Sequence, residues 1–165
     1  MFNLLFVYQT WTLRKSATKR AQMVGHHALS LVAIGLSLVT GRCHFFACFA
    51  VCSELSTPFL CAVLAIKLLG GSRTPAQRTC QALAGAGLWL AYLPFRLALF
   101  PCWLGLFFAD QRAAPATSRE TATPFELCFY PAVIAFLFAL SCVWFVAISK
   151  GLYKALAQAS AKKRA

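Results

Sequence analysis

Residues 127–149 read LCFYPAVIAFLFALSCVWFVAIS, a run of 23 residues that contains no lysine, arginine, aspartate or glutamate. A helix that crosses the hydrocarbon core of a membrane needs about 20 mostly apolar residues. The run meets that length, so it predicts a transmembrane helix.

Three further stretches share this pattern. Residues 21–41 carry no charged side chain, residues 43–66 carry only Glu54, and residues 79–109 carry only Arg96. The shortest of the three has 21 residues, which is long enough to cross the membrane. Each stretch therefore predicts a further span.

Two segments depart from a simple upright span. Residues 1–13, MFNLLFVYQTWTL, are apolar, but at about 1.5 Å per residue they cover only about 20 Å of a core about 30 Å thick. They are either the tail of a helix whose beginning is absent or a partly inserted segment. Stretch 79–109 is longer than one upright helix needs, and Pro94 and Pro101 within it predict a tilted, bent helix. We therefore expect an all-α, multi-pass transmembrane helical bundle with four full spans plus a short N-terminal apolar helix.

The composition agrees with a membrane protein. Of the 165 residues, 60% are hydrophobic and 12% are charged, whereas about 25% of the residues in a soluble domain are charged. Disordered chains combine low hydrophobicity with high charge. The composition therefore excludes a disordered chain and argues against an ordinary soluble domain.

The basic residues lie mostly on one side of the predicted membrane. Sixteen Lys and Arg against four Asp and Glu give a net charge of +12. Assigned alternately, the connectors and the tail place twelve basic residues on one side and three on the other, with Arg96 inside the membrane. The positive-inside rule then predicts a cytosolic C-terminus and a luminal or extracellular loop at 110–124. The twelve are Arg14, Lys15, Lys19, Arg20, Lys67, Arg73, Arg78, Lys150, Lys154, Lys162, Lys163 and Arg164.

This charge distribution also defines the expected partners. Basic clusters that flank apolar helices are explained by membrane insertion, so we expect no nucleic acid partner. Anionic lipid headgroups are expected at the cytosolic Lys and Arg clusters, and membrane lipids around the spans. The sequence leaves the oligomeric state open.

The eight cysteines do not predict a metal site. Most lie within the apolar stretches, where a free cysteine behaves as a small apolar residue. Their spacing matches no compact zinc pattern. We therefore expect neither a bound metal nor disulfides inside the bilayer.

Ionisable residues inside membrane spans are rare and usually functional. Glu54 and Arg96 both lie near the middle of their stretches, so they should lie at similar depth and compensate each other's charge. His26 and His27 are adjacent near the start of their span. An imidazole can act as general acid, general base or metal ligand near neutral pH. The Glu54–Arg96 pair is either a structural ion pair or a pair that contacts substrate.

Hydroxyl groups accompany these charges. Helical spacing places Ser30 one turn from His27, and Ser56 and Thr57 follow Glu54 closely. We expect a polar interior lined by His26 or His27, Glu54, Ser56, Thr57 and Arg96. Adjacent helical residues point about 100° apart, so only one histidine should face this interior squarely. The alternative is that the polar groups merely join helices by hydrogen bonds, and for Ser30 this reading is favoured.

Four motifs occur in a fixed order along the predicted spans. They are Met23-Val-Gly-His26-His27, then Glu54-Leu-Ser56-Thr57-Pro58-Phe59, then Pro94-Phe95-Arg96-Leu97, and finally Val143-Trp144-Phe145 running through Ile148 to Lys150-Gly151-Leu152. In this order they resemble the TLC-domain family of multi-pass membrane proteins, which includes the ceramide synthases. The chain is most similar to the smaller, transmembrane protein 56-like branch. The resemblance covers about residues 20–155.

The resemblance implies a helical bundle around a central cavity, in endoplasmic-reticulum-type or other endomembranes, that is concerned with lipids. It divides the chain into a TLC-like transmembrane domain at 1–155, with its leading spans missing, and a basic cytosolic tail at 156–165. It implies that His26 and His27 match the paired histidines of the ceramide synthases, which are linked to acyl transfer from acyl-CoA to a sphingoid base. The expected cavity residues are Ser30, Glu54, Ser56, Thr57, Arg96 and Trp144.

Three functions stay open at this point. The first is lipid handling or membrane lipid homeostasis through the polar cavity. The second is an acyl-CoA-dependent N-acyltransferase of ceramide-synthase type that uses His26 and His27, with acyl-CoA as co-substrate and no other cofactor. The third is a non-catalytic membrane scaffold. The ceramide synthases carry a further His-Asp pair in the next span, where this chain has Glu54-Leu-Ser-Thr-Pro-Phe, so the resemblance does not decide whether the chain is an enzyme.

Overall fold

The structure, a computed structural model, describes residues 17–68, 74–113 and 122–164. The predicted helix at 1–13 lies outside these residues. The described part of the chain is helical and contains no strand. Its helices are α1 (Ala17–Thr40), α2 (His44–Val51), α3 (Thr57–Leu68), α4 (Pro75–Tyr92), α5 (Leu99–Ala113) and α6 (Pro124–Arg164), with a 3-10 segment (Cys52–Ser56) between α2 and α3 and a π segment (Leu93–Ala98) between α4 and α5.

Four helical stretches are long and apolar enough to cross a membrane. They are the first span (Arg20–Thr40), the second span (His44–Leu68), the third span (Pro75–Ala113) and the fourth span (Pro124–Tyr153). The predicted all-α bundle with four full spans is therefore confirmed. The first residues of the polar loop expected at 110–124 are helical, because α5 continues to Ala113.

The best-buried side chains lie between the third and fourth spans. Here Trp103 and Phe107 stack with ring centroids 4.8 Å apart, and Phe46 of the second span meets both rings edge-on. The Trp103 indole Nε1 donates to the Phe46 carbonyl at 2.8 Å, which ties the second span to this cluster. The cluster comprises Leu99, Phe100, Trp103, Phe107, Tyr130, Val133, Ile134 and Leu137.

Pro58 explains the 3-10 segment in the second span. Proline has no backbone N–H, so Pro58 cannot donate to the carbonyl of Glu54 four residues earlier. The Thr57 N–H donates to that carbonyl instead, which closes the tighter i→i+3 turn of a 3-10 helix. Glu54 thus lies where the regular α-helix is interrupted.

Pro94 has the corresponding effect in the third span. It cannot donate to the carbonyl of Leu90, and the Leu99 N–H reaches back five residues to the Pro94 carbonyl, which is the bond of a π-helix. Arg96 lies inside this π segment. Pro101 falls in the first turn of α5, where proline is tolerated, so the irregularity expected in this span occurs at Pro94 alone.

A tight connection joins α1 to α2, and an ion pair ties it to α6. Gly41 and Cys43 both have positive φ, 70° and 56°, which is strained for cysteine. Arg42 between them donates from Nη1 to Glu126 Oε2 at 3.3 Å. The same carboxylate caps α6: Glu126 Oε2 accepts from the Thr123 N–H at 2.7 Å, and Thr123 Oγ1 accepts from the Glu126 N–H at 3.2 Å. This is the reciprocal pattern of a capping box.

Glu126 generates a first testable prediction. Glu126→Gln keeps an acceptor for the capping box but removes the ion pair, whereas Glu126→Ala removes both. We expect Glu126→Ala to lower the free energy of unfolding by about 1–3 kcal/mol, because the cap and the buried hydrogen bonds are lost. Glu126→Gln should lose clearly less. Thermal unfolding in detergent measures both variants, and equal losses would contradict the assigned role of the cap.

A close contact joins α3 and α4 at Gly87. A Cβ atom at this position would lie 2.6 Å from Phe59 Cδ1, so the Phe59 ring occupies the space that a larger residue would need. Gly85, one half-turn earlier, has nothing within 4 Å of the corresponding position. The glycine at 87 is therefore required by packing, and the one at 85 is not.

We expect Gly87→Ala to lower the stability in detergent by about 1–3 kcal/mol, the usual range for overpacking. The matched variant Gly85→Ala should leave stability unchanged or raise it, since alanine favours the helix. In a Phe59→Ala background the Gly87→Ala loss should shrink, because the ring that it displaces is gone. A loss of the same size in both backgrounds would show that Phe59 is not the cause.

Candidate functional site

Glu54 and Arg96 form the ion pair that the sequence predicted. Arg96 Nη2 donates to Glu54 Oε1 at 3.0 Å, and Arg96 Nε donates to Ser56 Oγ at 3.1 Å. Thr57 Oγ1 donates to the second carboxylate oxygen, Glu54 Oε2, at 2.5 Å. Both oxygens of the carboxylate therefore have donors, which makes this a well-satisfied polar cluster inside the membrane span.

The irregular segments bring this pair together. The 3-10 segment and the π segment pack against each other, so the two spans meet at the depth of the two charges. The Arg96 guanidinium also lies 5.7 Å from the centroid of the Tyr92 ring, and the Tyr92 hydroxyl donates to the Ser141 carbonyl at 3.2 Å. The cluster is thereby connected through Tyr92 to the fourth span.

The two charges differ in exposure. Arg96 is 6% exposed, whereas the Glu54 side chain is 51% exposed. The open side of Glu54 faces a pocket of about 320 Å³ between the first, second, third and fourth spans. We call this the inner pocket. It is lined by His26, His27, Ser30, Leu31, Ala33, Ile34, Cys43, Phe46, Ala47, Ala50, Val51, Ser53, Glu54, Trp103, Tyr130, Val133, Ile134 and Leu137.

Most of the polar side chains of the inner pocket gather at one end, and Tyr130 is an exception. We call this end the polar pole, and it comprises His26, His27, Ser30, Ser53 and Glu54. The sequence predicted that only one histidine would face the interior squarely, and both histidines are among the residues that line the pocket. His26 is the buried member, at 7% exposure, and its ring packs edge-on against His27 and Trp144 with centroids 5.1 Å and 5.4 Å away. His27 is exposed.

Four residues expected to line the cavity lie behind its wall instead. Ser56, Thr57 and Arg96 bind Glu54 or each other and do not line the inner pocket. Trp144 contacts His26 and is not among the residues that line the pocket. These residues therefore hold the polar pole in place and are not themselves available to a ligand in the pocket.

Among the lining residues that the sequence did not predict, two are aromatic residues with a polar atom. Tyr130 and Trp103 form part of the wall, yet each lies in a run of apolar residues and carries no charge. The available signal was their polar atoms, since a hydroxyl or indole N–H inside a membrane span needs a partner. Trp103 has one in the Phe46 carbonyl, whereas the buried Tyr130 hydroxyl has none.

All eight cysteines are free thiols. In the described part of the chain no three His, Cys, Asp or Glu side chains come close enough to hold a metal ion. Cys43, in the α1–α2 connection, is partly buried, and burial raises the pKa of its thiol, with the charges of Glu126 and Asp110 adding to this effect. Cys43 therefore lines the inner pocket as a neutral group.

The chain matches the TLC domain over residues 1–150. It belongs to the TLC-domain family. No curated protein and no solved structure matches it. The family predicted from the four motifs is thereby confirmed. In this TLC domain the four motifs meet in two pairs: the Glu54 and Arg96 motifs through their ion pair, and the histidine and Trp144 motifs through the contact between His26 and Trp144.

The ion pair generates a prediction that tests whether the contributions of Glu54 and Arg96 to stability depend on each other. Glu54→Gln leaves the buried Arg96 charge without a carboxylate, so we expect a loss on the order of 3 kcal/mol in the free energy of unfolding. Arg96→Gln should lose less, because Glu54 keeps Thr57 and is open to the pocket. The double variant should lose clearly less than the sum of the two single losses.

Thermal or denaturant unfolding in detergent provides these values. Arg78→Gln is the control, since Arg78 is exposed and surface changes usually stay within about 0.5 kcal/mol. Additive losses from the two single changes would show that the charges do not depend on each other.

Proposed function

We propose that this TLC-domain protein handles membrane lipids by binding them in the inner pocket, and so contributes to membrane lipid homeostasis. The observation that carries the proposal is the form of the pocket: apolar walls along its length and a polar pole of His26, His27 and Glu54 at one end. A molecule complementary to such a pocket is an amphiphile, with an aliphatic chain along the walls and a hydrogen-bonding group at the pole.

The size of the pocket favours a single chain. A volume of about 320 Å³ is at the lower end of ligand pockets, which range over about 300–1,000 Å³. A single aliphatic chain fits this volume, and a two-chain phospholipid does not.

The state of the polar pole supports His27 as the group that meets the ligand. The charge of the Glu54 carboxylate is compensated by Arg96, and its second oxygen accepts a hydrogen bond from Thr57. The His26 ring is packed between His27 and Trp144. His27 is the exposed member of the pair, and its imidazole can donate or accept a hydrogen bond. A hydroxyl or amine of a lipid is the natural counterpart.

A second candidate function follows from the adjacent histidines in the pocket. An N-acyltransferase would use His27 or His26 as general base, which removes a proton from a lipid amine as its nitrogen attacks the thioester carbonyl of acyl-CoA. The C–N bond forms, the C–S bond breaks, and the thiolate of coenzyme A leaves and takes up a proton. Acyl-CoA is then the co-substrate, and the exposed cytosolic basic residues are the groups that would steer it.

The charge distribution supports a location and an orientation. Twelve basic residues on one side favour a cytosolic C-terminus and contact with anionic headgroups at that face. The family favours the endoplasmic reticulum or another endomembrane. The motif order favours the smaller, transmembrane protein 56-like branch within the TLC-domain family.

The histidines provide the test. In cells that lack the protein, the wild type should restore the lipid profile, and the His26→Gln/His27→Gln variant should not. The matched control is Val24→Ala, since Val24 is on the same helix, is exposed and does not line the pocket. A scaffold function predicts that all three chains act alike.

The acyltransferase alternative has a separate readout. Purified protein is incubated with acyl-CoA and a long-chain amine, and the N-acyl product is measured. If the alternative holds, the double histidine variant should lose about 10²–10⁴-fold in rate, the usual contribution of general acid–base catalysis. Equal rates for the wild type and the variant would exclude these histidines as the catalytic base, while a restored lipid profile in cells would still support lipid handling.

A further inference from the structure

Buried polar atoms without a partner gather at one end of the bundle. Three such atoms occur among the described residues: Gln111 Nε2, Glu126 Oε1 and Tyr130 Oη. Gln111 lies in the last turn of α5, and the other two lie in the first turns of α6. Buried polar groups are nearly always hydrogen-bonded, so an accumulation of exceptions at one end calls for an explanation.

A second pocket opens at this end. It has a volume of about 240 Å³, and Asp110 and Gln111 contribute polar groups to its wall. We call it the outer pocket. It shares two wall residues, Cys43 and Phe46, with the inner pocket. The two pockets are therefore neighbours, separated by these two side chains.

Tyr130 marks the far end of the inner pocket. It is 6% exposed, it belongs to the pocket wall beside Cys43, and its hydroxyl has no partner. From Cys43 to Glu54 the second span advances 11 residues, which is about 16 Å along a helix. The wall between these levels consists of apolar side chains such as Ala47, Ala50 and Ile134.

The inner pocket thus has a polar group at each end and an apolar middle. We propose that its ligand has the same pattern: a single-chain molecule with one hydroxyl or amine at the polar pole and a second hydrogen-bonding group at Tyr130, next to the outer pocket. The proposal rests on the lipid-binding function proposed above and adds the second polar group. Tyr130 then selects among chains by the group at their far end.

The geometry also sets a chain length. In an extended chain, C–C bonds of about 1.5 Å advance about 1.3 Å each along the chain axis, because they meet at tetrahedral angles. About 12 carbons with a hydroxyl at each end therefore cover roughly the 16 Å between the levels of Glu54 and Cys43. Dodecane-1,12-diol is a probe with a hydroxyl at both ends, and 1-dodecanol is the matched probe with one.

The test compares the two probes on purified protein in detergent. Affinities are measured for the wild type and for Tyr130→Phe, which removes only the hydroxyl. The ratio of the diol and dodecanol affinities is compared between variants, so that different partitioning of the probes into micelles cancels. Tyr153→Phe is the control, because Tyr153 is on the same helix, is 76% exposed and lines neither pocket.

We expect Tyr130→Phe to reduce the preference for the diol about three- to tenfold, the effect of one lost hydrogen bond. Affinity for 1-dodecanol should stay unchanged, and so should both affinities of Tyr153→Phe. Without ligand, Tyr130→Phe should unfold at the same temperature as the wild type or higher, since it removes an unpartnered buried hydroxyl. A lower unfolding temperature with an unchanged diol preference would mean that the hydroxyl is structural, and would overturn the proposal.

The outcomes separate the two proposals. If 1-dodecanol binds and the diol preference is the same in Tyr130→Phe as in the wild type, the second polar group is wrong and the lipid-binding pocket stands. If neither probe binds to the wild type, both proposals fail. Loss of the preference in Tyr153→Phe as well would place the effect outside the pocket and would also overturn the role of Tyr130.

Discussion

The salt bridge between Arg96 and Glu54 is the constraint on which the arrangement of the spans depends. A buried arginine in an apolar span is costly unless a carboxylate and further hydrogen bonds meet it. Glu54 and Ser56 supply these from the second span, so the second and third spans must meet at one depth and in one rotation. Two prolines make this possible, because they open the 3-10 and π segments that carry the two charges.

A second ion pair lies elsewhere in the bundle and joins other elements. Arg42 in the α1–α2 connection binds Glu126 at the start of α6, about 84 residues away in sequence. Together the two pairs fix the first two spans against the last two near both ends of the inner pocket. The wall between the pairs is mostly apolar, and Trp103 and Phe46 within it share a hydrogen bond. The two ion pairs and this bond are the polar contacts that hold the pocket together.

The sequence was sufficient to predict the spans and the central ion pair, and insufficient for the pocket wall. Spans follow from the absence of charge, and Glu54 and Arg96 are the interruptions of otherwise uncharged stretches. In a soluble helix an apolar stripe marks the buried face. In these spans lipid and protein interior are both apolar, so no pattern distinguished Trp103 and Tyr130 on the inside from Leu38 and Val39 at the surface. Ser56 and Thr57 were expected in the cavity because helical spacing alone cannot show which way a 3-10 turn directs them.

The ion pair also determines which polar group is left for chemistry. A carboxylate that already accepts from Arg96 and Thr57 has little capacity to bind or deprotonate anything else, so Glu54 contributes a fixed, compensated charge. The His26 ring packs edge-on against Trp144. His27 is the histidine of the pocket whose imidazole is exposed. The polar groups of Glu54, Arg96, Ser56 and Thr57 nearby are hydrogen-bonded to one another. Under the proposed function, whether the TLC domain only binds a lipid or also transforms it depends on how His27 meets the polar group of that lipid. The neighbouring charges are already compensated, so they do not have to rearrange when a ligand binds.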